Sequence, residues 1–295
     1  MLAYLVAVAI VFGIYALLTI SLDLHYGFTG LINFGHVGFF SIGAYASAIL
    51  TLHGLPYVVG FAAAAALAAL SAWPLGPLAL RLREDYLAIV TLAFAEIVRI
   101  VITAEEWLTG GVQGLSGIPR PFAGLGIGGA AEIAYLGLVA AVLLAAVLLI
   151  NRLVRSPFGR LIQAIRDDEV AVTALGKNPA GAKVRVFAIG AAIAGIAGAL
   201  YAHYMNYLVP DQFVPLVTFY VWMAMILGGT GRIGGALLGT AVLISILEGS
   251  RVLRDIFPGV LQVEMASLRL ALVGLLIVLF VLYRPDGLLG GKTKP

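Results

Sequence analysis

The chain has no cysteine in 295 residues, which excludes disulfides, thiolate catalysis and cysteine-ligated metal and leaves the redox compartment unreadable. Charge is also scarce: Asp, Glu, Lys and Arg make up 11% of the sequence, and the first eighty residues hold no Lys or Arg. Motifs for chemistry are missing too. No HExxH occurs, and His25, His36, His53 and His203 show no mutual spacing that suggests a metal site. Gly234 to Thr240 contains two glycines at P-loop spacing, but Thr240 stands where the phosphate-binding Lys belongs. Gly124 to Gly129 fits G-x-G-x-x-G, yet no strand precedes it and no acidic residue follows at the required distance, so it reads as a flexible outer loop. No catalytic residue and no metal site is assigned.

What is present is apolar. Hydrophobic side chains make up 62% of the sequence and mean hydropathy is +1.06, values that define a polytopic membrane protein. Apolar runs recur at about twenty residues, the length that crosses a hydrocarbon core of roughly 30 Å. In lipid such runs are helices, because backbone groups there need internal partners. Spans are predicted at 2–22, 34–52, 57–82, 86–104, 132–150, 184–205, 214–228, 233–250 and 267–283. The stretch from Met1 to Ile20 lacks a basic leader and is read as a first span, not a removed signal peptide. The expectation is an all-α polytopic protein of about eight to ten transmembrane helices with broken or re-entrant segments.

One charged island interrupts the pattern, from Asn151 to Arg185, with seven of the eighteen Lys and Arg residues. Cationic loops stay on the cytoplasmic side. With the island inside, cytoplasmic loops hold thirteen cations (Arg81, Arg83, the island's seven, Arg232, Arg284, Lys292 and Lys294), and the outer loops hold Arg120, Arg251 and Arg254. Parity then places the first residues outside, an assignment that fails if Asp23 to Gly35 forms a re-entrant segment. Since the bases sit at loop positions and not on one folded face, the net charge of +3 and the pI near 9.2 reflect topology, not a nucleic-acid partner.

The island carries its own helix signals. Ser156-Pro157 forms an N-cap and first helical residue, Leu161, Ile162 and Ile165 follow, Asp167-Asp168 caps a second helix, and Gly176 stops it before Asn178-Pro179. Connections this long are uncommon and, when ordered, usually functional. A docking surface and a solvated linker both fit this pattern.

Elsewhere, Asp23 to Gly35 (with His25, Gly27, Gly30, Asn33 and His36) is polar and glycine-rich near a membrane boundary, so a re-entrant segment fits it. Irregular backbone at that depth must be covered by protein or line an aqueous cavity. The span 214–228 is short, and Gly228-Gly229-Thr230-Gly231 breaks it, as in a half-helix. Small residues at four-residue spacing form two ladders, Gly190/Ala194/Gly198 and Gly231/Gly235/Gly239, which allow close helix packing or a moving seam. A shared glycine spacing between Gly30–Gly38 and Gly231–Gly239 is weak evidence of an internal repeat. Glu96 and Arg99 share a helix face, either neutralising each other or lining a pathway. Glu248 and Arg251 have the same spacing near a boundary, where snorkelling suffices. No series of acids suggests a proton relay.

These residues resemble the permease subunits of ABC importers for branched-chain amino acids, in the LivM-like branch, along nearly the whole chain. The resemblance rests on Arg81 to Leu92, Thr109-Gly110-Gly111-Val112-Gln113-Gly114-Leu115, Ser156 to Gly176, Ala188 to Tyr201, Gly228 to Gly231 and Tyr283 to Leu288. It implies a single transmembrane permease domain over 1–295 in a bacterial or archaeal inner membrane. The implied partners are a second homologous permease, two cytosolic ATP-binding subunits that hold ATP and Mg2+, and a periplasmic solute-binding protein delivering an amino acid. No cofactor is bound by this chain itself. The resemblance makes the island a helical coupling loop of about 151–185, with Arg160, Arg166, Asp167, Asp168, Glu169, Ala171 and Gly176 in the ATPase contact and Glu169 at its centre. Asn33, His36, Glu96, Arg99, Gly228, Gly229 and Gly231 are candidates for the pathway or gate. Leu31 and Asn33 depart from the LivM-like pattern towards the partner permease, and Glu84 and Val112 replace a usual Gly and Ser. The first departure keeps a urea or short-amide permease of the same superfamily open. An ion-coupled secondary transporter and a membrane enzyme or scaffold are the rivals from other classes.

Overall fold

The computed structural model describes residues 2–75, 84–125 and 129–256 and the positions 274, 275, 278, 282, 283 and 287–289; side chains at 84, 125 and 249–256 lie outside the description. Ten α-helices of six residues or more organise these residues: α1 (Leu2–His25), α2 (His36–Leu52), α3 (Tyr57–Ala72), α4 (Glu84–Ala104), α5 (Ala130–Arg155), α6 (Pro157–Asp167), α7 (Glu169–Ala174), α8 (Pro179–Met205), α9 (Pro215–Gly228) and α10 (Ile233–Ile256). A two-residue antiparallel ladder, β1 (Leu115–Ser116) with β2 (Tyr207–Leu208), joins the α4–α5 loop to the end of α8. Among the described residues, five segments are long and apolar enough to cross a membrane: Leu2–His25, Asp85–Ala104, Ala130–Arg155, Pro179–Met205 and Pro210–Gly228.

Several predicted boundaries move, each for a local reason. Within the 57–82 span the helix α3 ends at Ala72, because Trp73-Pro74 turns the chain and Pro cannot continue the backbone ladder; 76–82 lie outside the described residues. The ends of the island, 151–155 and 179–185, belong to α5 and α8, so only 156–178 lies between the long helices. Gly231 is not on a span: it sits in the break before α10 at φ +73, and only Gly235 and Gly239 of that ladder are helical. The 267–283 span, Arg81 to Arg83, Gly126 to Gly128, Arg284 to Asp286, Lys292 and Lys294 fall wholly or mainly outside the described residues.

The core is built from small residues. α8 packs extensively on α2 and α3. Gly198 lies where a Cβ would overlap the Phe40 carbonyl, Gly43 lies against Gly195, and Gly195 against Ala64 and Ala68. Without a hydrophobic drive between helices in lipid, such close backbone approach supplies the packing energy. α1 is enclosed by α5, α8, α9 and α10, and every residue from Ala16 to His25 is buried.

Contacts fix the direction of each helix. The end of α1 meets the island, where the Arg166 Nη1 donates to the Gly27 carbonyl at 2.7 Å. Tyr4, at the start of α1, reaches Glu248 late in α10. α8 starts beside the island and ends where His203 bonds Ser47, late in α2. Tyr135, early in α5, donates to Leu200 near that same far end. Gly228 at the end of α9 returns to the island side, and Leu289 does as well, its N–H donating to the Gly228 carbonyl at 3.1 Å. Leu2 and the island therefore lie at opposite ends of the bundle, as the parity of the predicted spans requires.

The α2–α8 seam yields a prediction. Gly43→Val places a side chain into the Gly195 backbone, and overpacking of this kind costs about 1–3 kcal/mol; the thermal midpoint in detergent should fall by several degrees. Gly137→Ala, on an α5 surface with open space beyond it, should leave that midpoint unchanged or slightly raised.

Candidate functional site

The island folds as its caps dictate. The Ser156 hydroxyl accepts from the Gly159 N–H at 3.2 Å, with Pro157 at the first helical position of α6. Asp168 accepts from the Ala171 N–H at 2.9 Å and starts α7, and Gly176, at φ +73, lets the chain leave it. Asn178 accepts from the Gly181 N–H at 3.3 Å and starts α8. Amphipathic α6 seats Ile162 and Ile165 on the bundle and turns Arg160, Asp167 and Asp168 outward. Glu169 faces inward, pairing with Lys183 of α8 at 2.7 Å, and so ties α7 down. What the short helix presents outward is apolar: Val170 is 79% exposed and Leu175 is 80% exposed, on either side of exposed Ala171. Sequence reasoning missed these two, because a lone Val and Leu in a polar loop carry no periodic signal.

Beneath the island three breaks in helical structure come together. Arg166 lies across Gly30, whose φ of +75 and proximity to the Arg166 Cγ leave no room for a side chain, and also reaches the Gly27 carbonyl. Gly27 touches Gly231, where the break after α9 ends. The Asp23 carboxylate, fully buried at the end of α1, accepts from the Gly231 N–H at 2.7 Å. That places a carboxyl oxygen at the start of α10, where the unpaired N–H groups and the helix dipole favour an acceptor. Gly228 and Gly229 are covered from below: Leu288 N–H donates to the Leu227 carbonyl at 2.9 Å, and Gly287, at φ +74, lies against Gly229. Arg232 donates to the Leu289 carbonyl. Of the predicted gate residues, Gly228, Gly229 and Gly231 thus share one junction with Arg166 of the island. Asp23, which pins it, was seen in the sequence only as one member of a polar stretch.

Asn33 and His36 are buried in a hydrogen-bonded cluster, with His25 as the third member. One proton assignment satisfies every atom. Asn33 Oδ1 accepts from the Gly35 N–H at 2.9 Å, so its amide nitrogen donates to the Nδ1 of His25 at 3.1 Å and of His36 at 3.3 Å. Both rings are then neutral and carry the proton on Nε2. His25 donates to the Phe187 carbonyl at 3.2 Å, and His36 to the Ser21 hydroxyl at 2.7 Å, which passes its own proton to the Leu18 carbonyl. The irregular backbone is secured from all sides: Phe34 N–H donates to Thr91, Val37 N–H to Thr218, and the Trp222 indole to the Asn33 carbonyl. Protein therefore covers the non-helical segment between α1 and α2, which supplies the internal partners that irregular backbone in a membrane requires.

Glu96 and Arg99 form a bidentate ion pair on α4, and Arg99 also lies 3.7 Å from Asp211 in the turn before α9. The pair sits apart from the island junction and adjoins the outer turn. Arg251 lies outside the described side chains, so the Glu248–Arg251 spacing stands as a sequence observation; Glu248 accepts from the Tyr4 hydroxyl at 3.4 Å.

The broken helices, small-residue seams and capped island together define a multi-pass membrane permease. The family described as branched-chain amino acid transport system / permease component matches residues 4–281, and the chain belongs to that family. It is 35% identical to the high-affinity branched-chain amino acid transport system permease protein LivM of Escherichia coli (strain K12), over 96% of this chain and 69% of that protein. To the probable branched-chain amino acid transport permease protein LivM of Methanocaldococcus jannaschii it is 28% identical, over 95% and 92%. To the LivH permease protein of the same Escherichia coli strain it is 27% identical, over 94% and 91%. No solved structure matches it.

Asn33→Ala should expose the importance of the buried cluster. Two imidazole nitrogens and the Gly35 N–H lose their partner, and each buried unsatisfied group costs about 1–3 kcal/mol. A clear loss of thermal stability in detergent, with membrane insertion retained, is the expected result.

Proposed function

We propose that the chain is the membrane-spanning subunit of an ATP-driven importer for branched-chain or other hydrophobic amino acids, with the island as the handle gripped by cytosolic ATPase subunits. The observation that carries this reading is the island's two-sided construction. Its outer side presents Val170 and Leu175 with the exposed Arg160, Asp167 and Asp168, a surface suited to an apolar cleft with a charged rim. Its inner side places Arg166 on Gly27 and Gly30, one contact away from the Gly231 break. A push on α7 passes through the Glu169–Lys183 pair into α8 and through Arg166 into the junction of α1, α9 and α10. Tight seams of small residues favour discrete packings over continuous deformation, so the bundle supplies alternating states and the ATPases supply energy.

The partners in this reading are two ATP-binding subunits with ATP and Mg2+, a second homologous permease and a periplasmic solute-binding protein. Similarity to both LivM and LivH proteins of one organism supports a paired arrangement. Relatives from a bacterium and an archaeon support placement in the plasma membrane of such a cell. The branched-chain substrate follows the names of those relatives, and an apolar bundle with few fixed charges suits an aliphatic solute.

The absence of cysteine makes the test direct. A Lys177→Cys variant should react with a membrane-impermeant maleimide in inside-out vesicles and not in intact cells. Leu175→Asp together with Val170→Asp should reduce L-leucine uptake more than tenfold while leaving insertion and the paired permease in place. Glu169→Arg, which sets two cations against each other at Lys183, should do the same. Normal uptake in both the double variant and Glu169→Arg would refute the handle.

A further inference from the structure

Between α3, α5 and α8 an apolar groove of about 750 Å³ runs down one side of the bundle. Its α5 wall is a stripe at alternating four- and three-residue steps, Leu138, Val142, Ala145 and Leu149. Such steps keep to one face of a helix, and the next one reaches Arg152, which is exposed. The α8 wall holds Ile193 and Ile196. Followed towards the start of α8, that face leads through Ile189 to Arg185, which is exposed as well. Each of these two walls thus ends, on the island side, in an arginine.

The two arginines share a depth. α5 and α8 run in opposite directions, and the bond from the Tyr135 hydroxyl to the Leu200 carbonyl sets their outer ends level. From that level Arg185 lies about 22 Å down α8 and Arg152 about 25 Å down α5, at 1.5 Å per residue. Neither makes an ion pair among the described residues. At the outer end the reverse holds. Arg120, next to the groove residues Pro121 and Phe122, is met by Glu132 at 3.4 Å and lies over the Tyr204 ring. The cation at the outer end is already matched, and the two at the inner end are left to meet an anion.

We infer that this groove is a binding site for an anionic phospholipid of the leaflet on the island side, with Arg152 and Arg185 on its phosphate and an acyl chain along the α5 stripe. The inference draws on the chain's place in the membrane and is independent of the importer reading above. From Leu138 to Leu149 the stripe rises about 16 Å, close to half of a hydrocarbon core of roughly 30 Å and so to the reach of one leaflet's chain. Guanidinium groups pair with phosphate oxygens through two parallel hydrogen bonds, and basic residues between helices on the cytoplasmic side hold anionic headgroups. A partner's helix would draw on polar contacts across the interface, whereas Tyr57, at the outer end, is the single polar side chain lining the groove. Arg152 and Arg185 stand on the two stems from which the island hangs, so the bound phosphate ties those stems together.

The test places a bimane fluorophore on a single cysteine introduced into the full, cysteine-free chain and reconstitutes it in phosphatidylcholine vesicles. At Ala145→Cys, in the groove, phosphatidylglycerol carrying a doxyl quencher on its chain should reach half-quenching at a membrane fraction about fivefold lower than doxyl-labelled phosphatidylcholine. At Leu144→Cys, 58% exposed on α5 and off the groove, the two lipids should quench alike. Arg152→Ala combined with Arg185→Ala should abolish the preference at Ala145→Cys. Arg155→Ala should leave it unchanged, because the next step of the stripe falls on Ser156 and Arg155 points off it. Equal quenching by both lipids at Ala145→Cys, in protein whose Leu144→Cys is quenched normally, would reduce the groove to ordinary lipid-facing surface and overturn the site. Absence of quenching by either lipid at Ala145→Cys alone would overturn it in favour of a protein partner filling the groove. A loss in Arg155→Ala as large as in the double variant would show a general attraction to surface charge and overturn it as well.

Discussion

Backbone polar groups removed from water must find partners within the protein, and this molecule is organised around that requirement wherever its helices break. The segment between α1 and α2 and the Gly228–Gly231 break leave N–H and C=O groups without helical partners. Thr91, Thr218, Asn33 and Trp222 serve the first segment. Asp23 and the Gly287–Leu289 stretch serve the second. These partners come from α1, α4 and α9 and from segments between helices, so the breaks bind the bundle together even as they provide the places where it can bend.

The same constraint explains why the few buried polar residues lie where they do. Asp23, His25, Asn33 and His36 are all within fourteen residues of one another in sequence (23–36) and all are buried. None faces lipid. Their hydrogen bonds leave the histidines neutral, which avoids the cost of burying an unpaired charge. Asp23 is the one carboxyl among them, and it meets the Gly231 N–H before α10 with the guanidinium of Arg166 nearby on Gly27.

Much of this was legible from sequence, and unevenly so. Spans were visible because apolar runs of membrane length leave no alternative to helix, and island caps because Ser156-Pro157, Asp168, Gly176 and Asn178-Pro179 act within three residues of themselves. The break at Gly228–Gly231 was readable for the same local reason. Its position against Gly27, Arg166 and Asp23 was not, because those contacts join residues 65 to 208 positions away in sequence and no local pattern encodes them. Glu169 shows how far spacing reasoning reaches. Its place in the island was evident, but its inward turn to Lys183 depends on where α8 begins, a tertiary fact. Tyr4, Tyr15, Tyr201, Tyr204 and Tyr220, which line one cleft, are scattered over three helices and look like ordinary membrane aromatics until the fold gathers them.

The short stretch Gly287–Leu289 closes the inner end of α9 by bonding its last carbonyls. Those residues are translated after α10, so α9 must wait in the bilayer with its end unsealed until a later part of the chain arrives. Biogenesis therefore has a built-in order: the seams among α1, α2, α3 and α8 can zip before the stretch on the island side seals the end of α9. A polypeptide halted before that point would leave the Leu227 and Gly228 carbonyls without the partners that the finished molecule gives them.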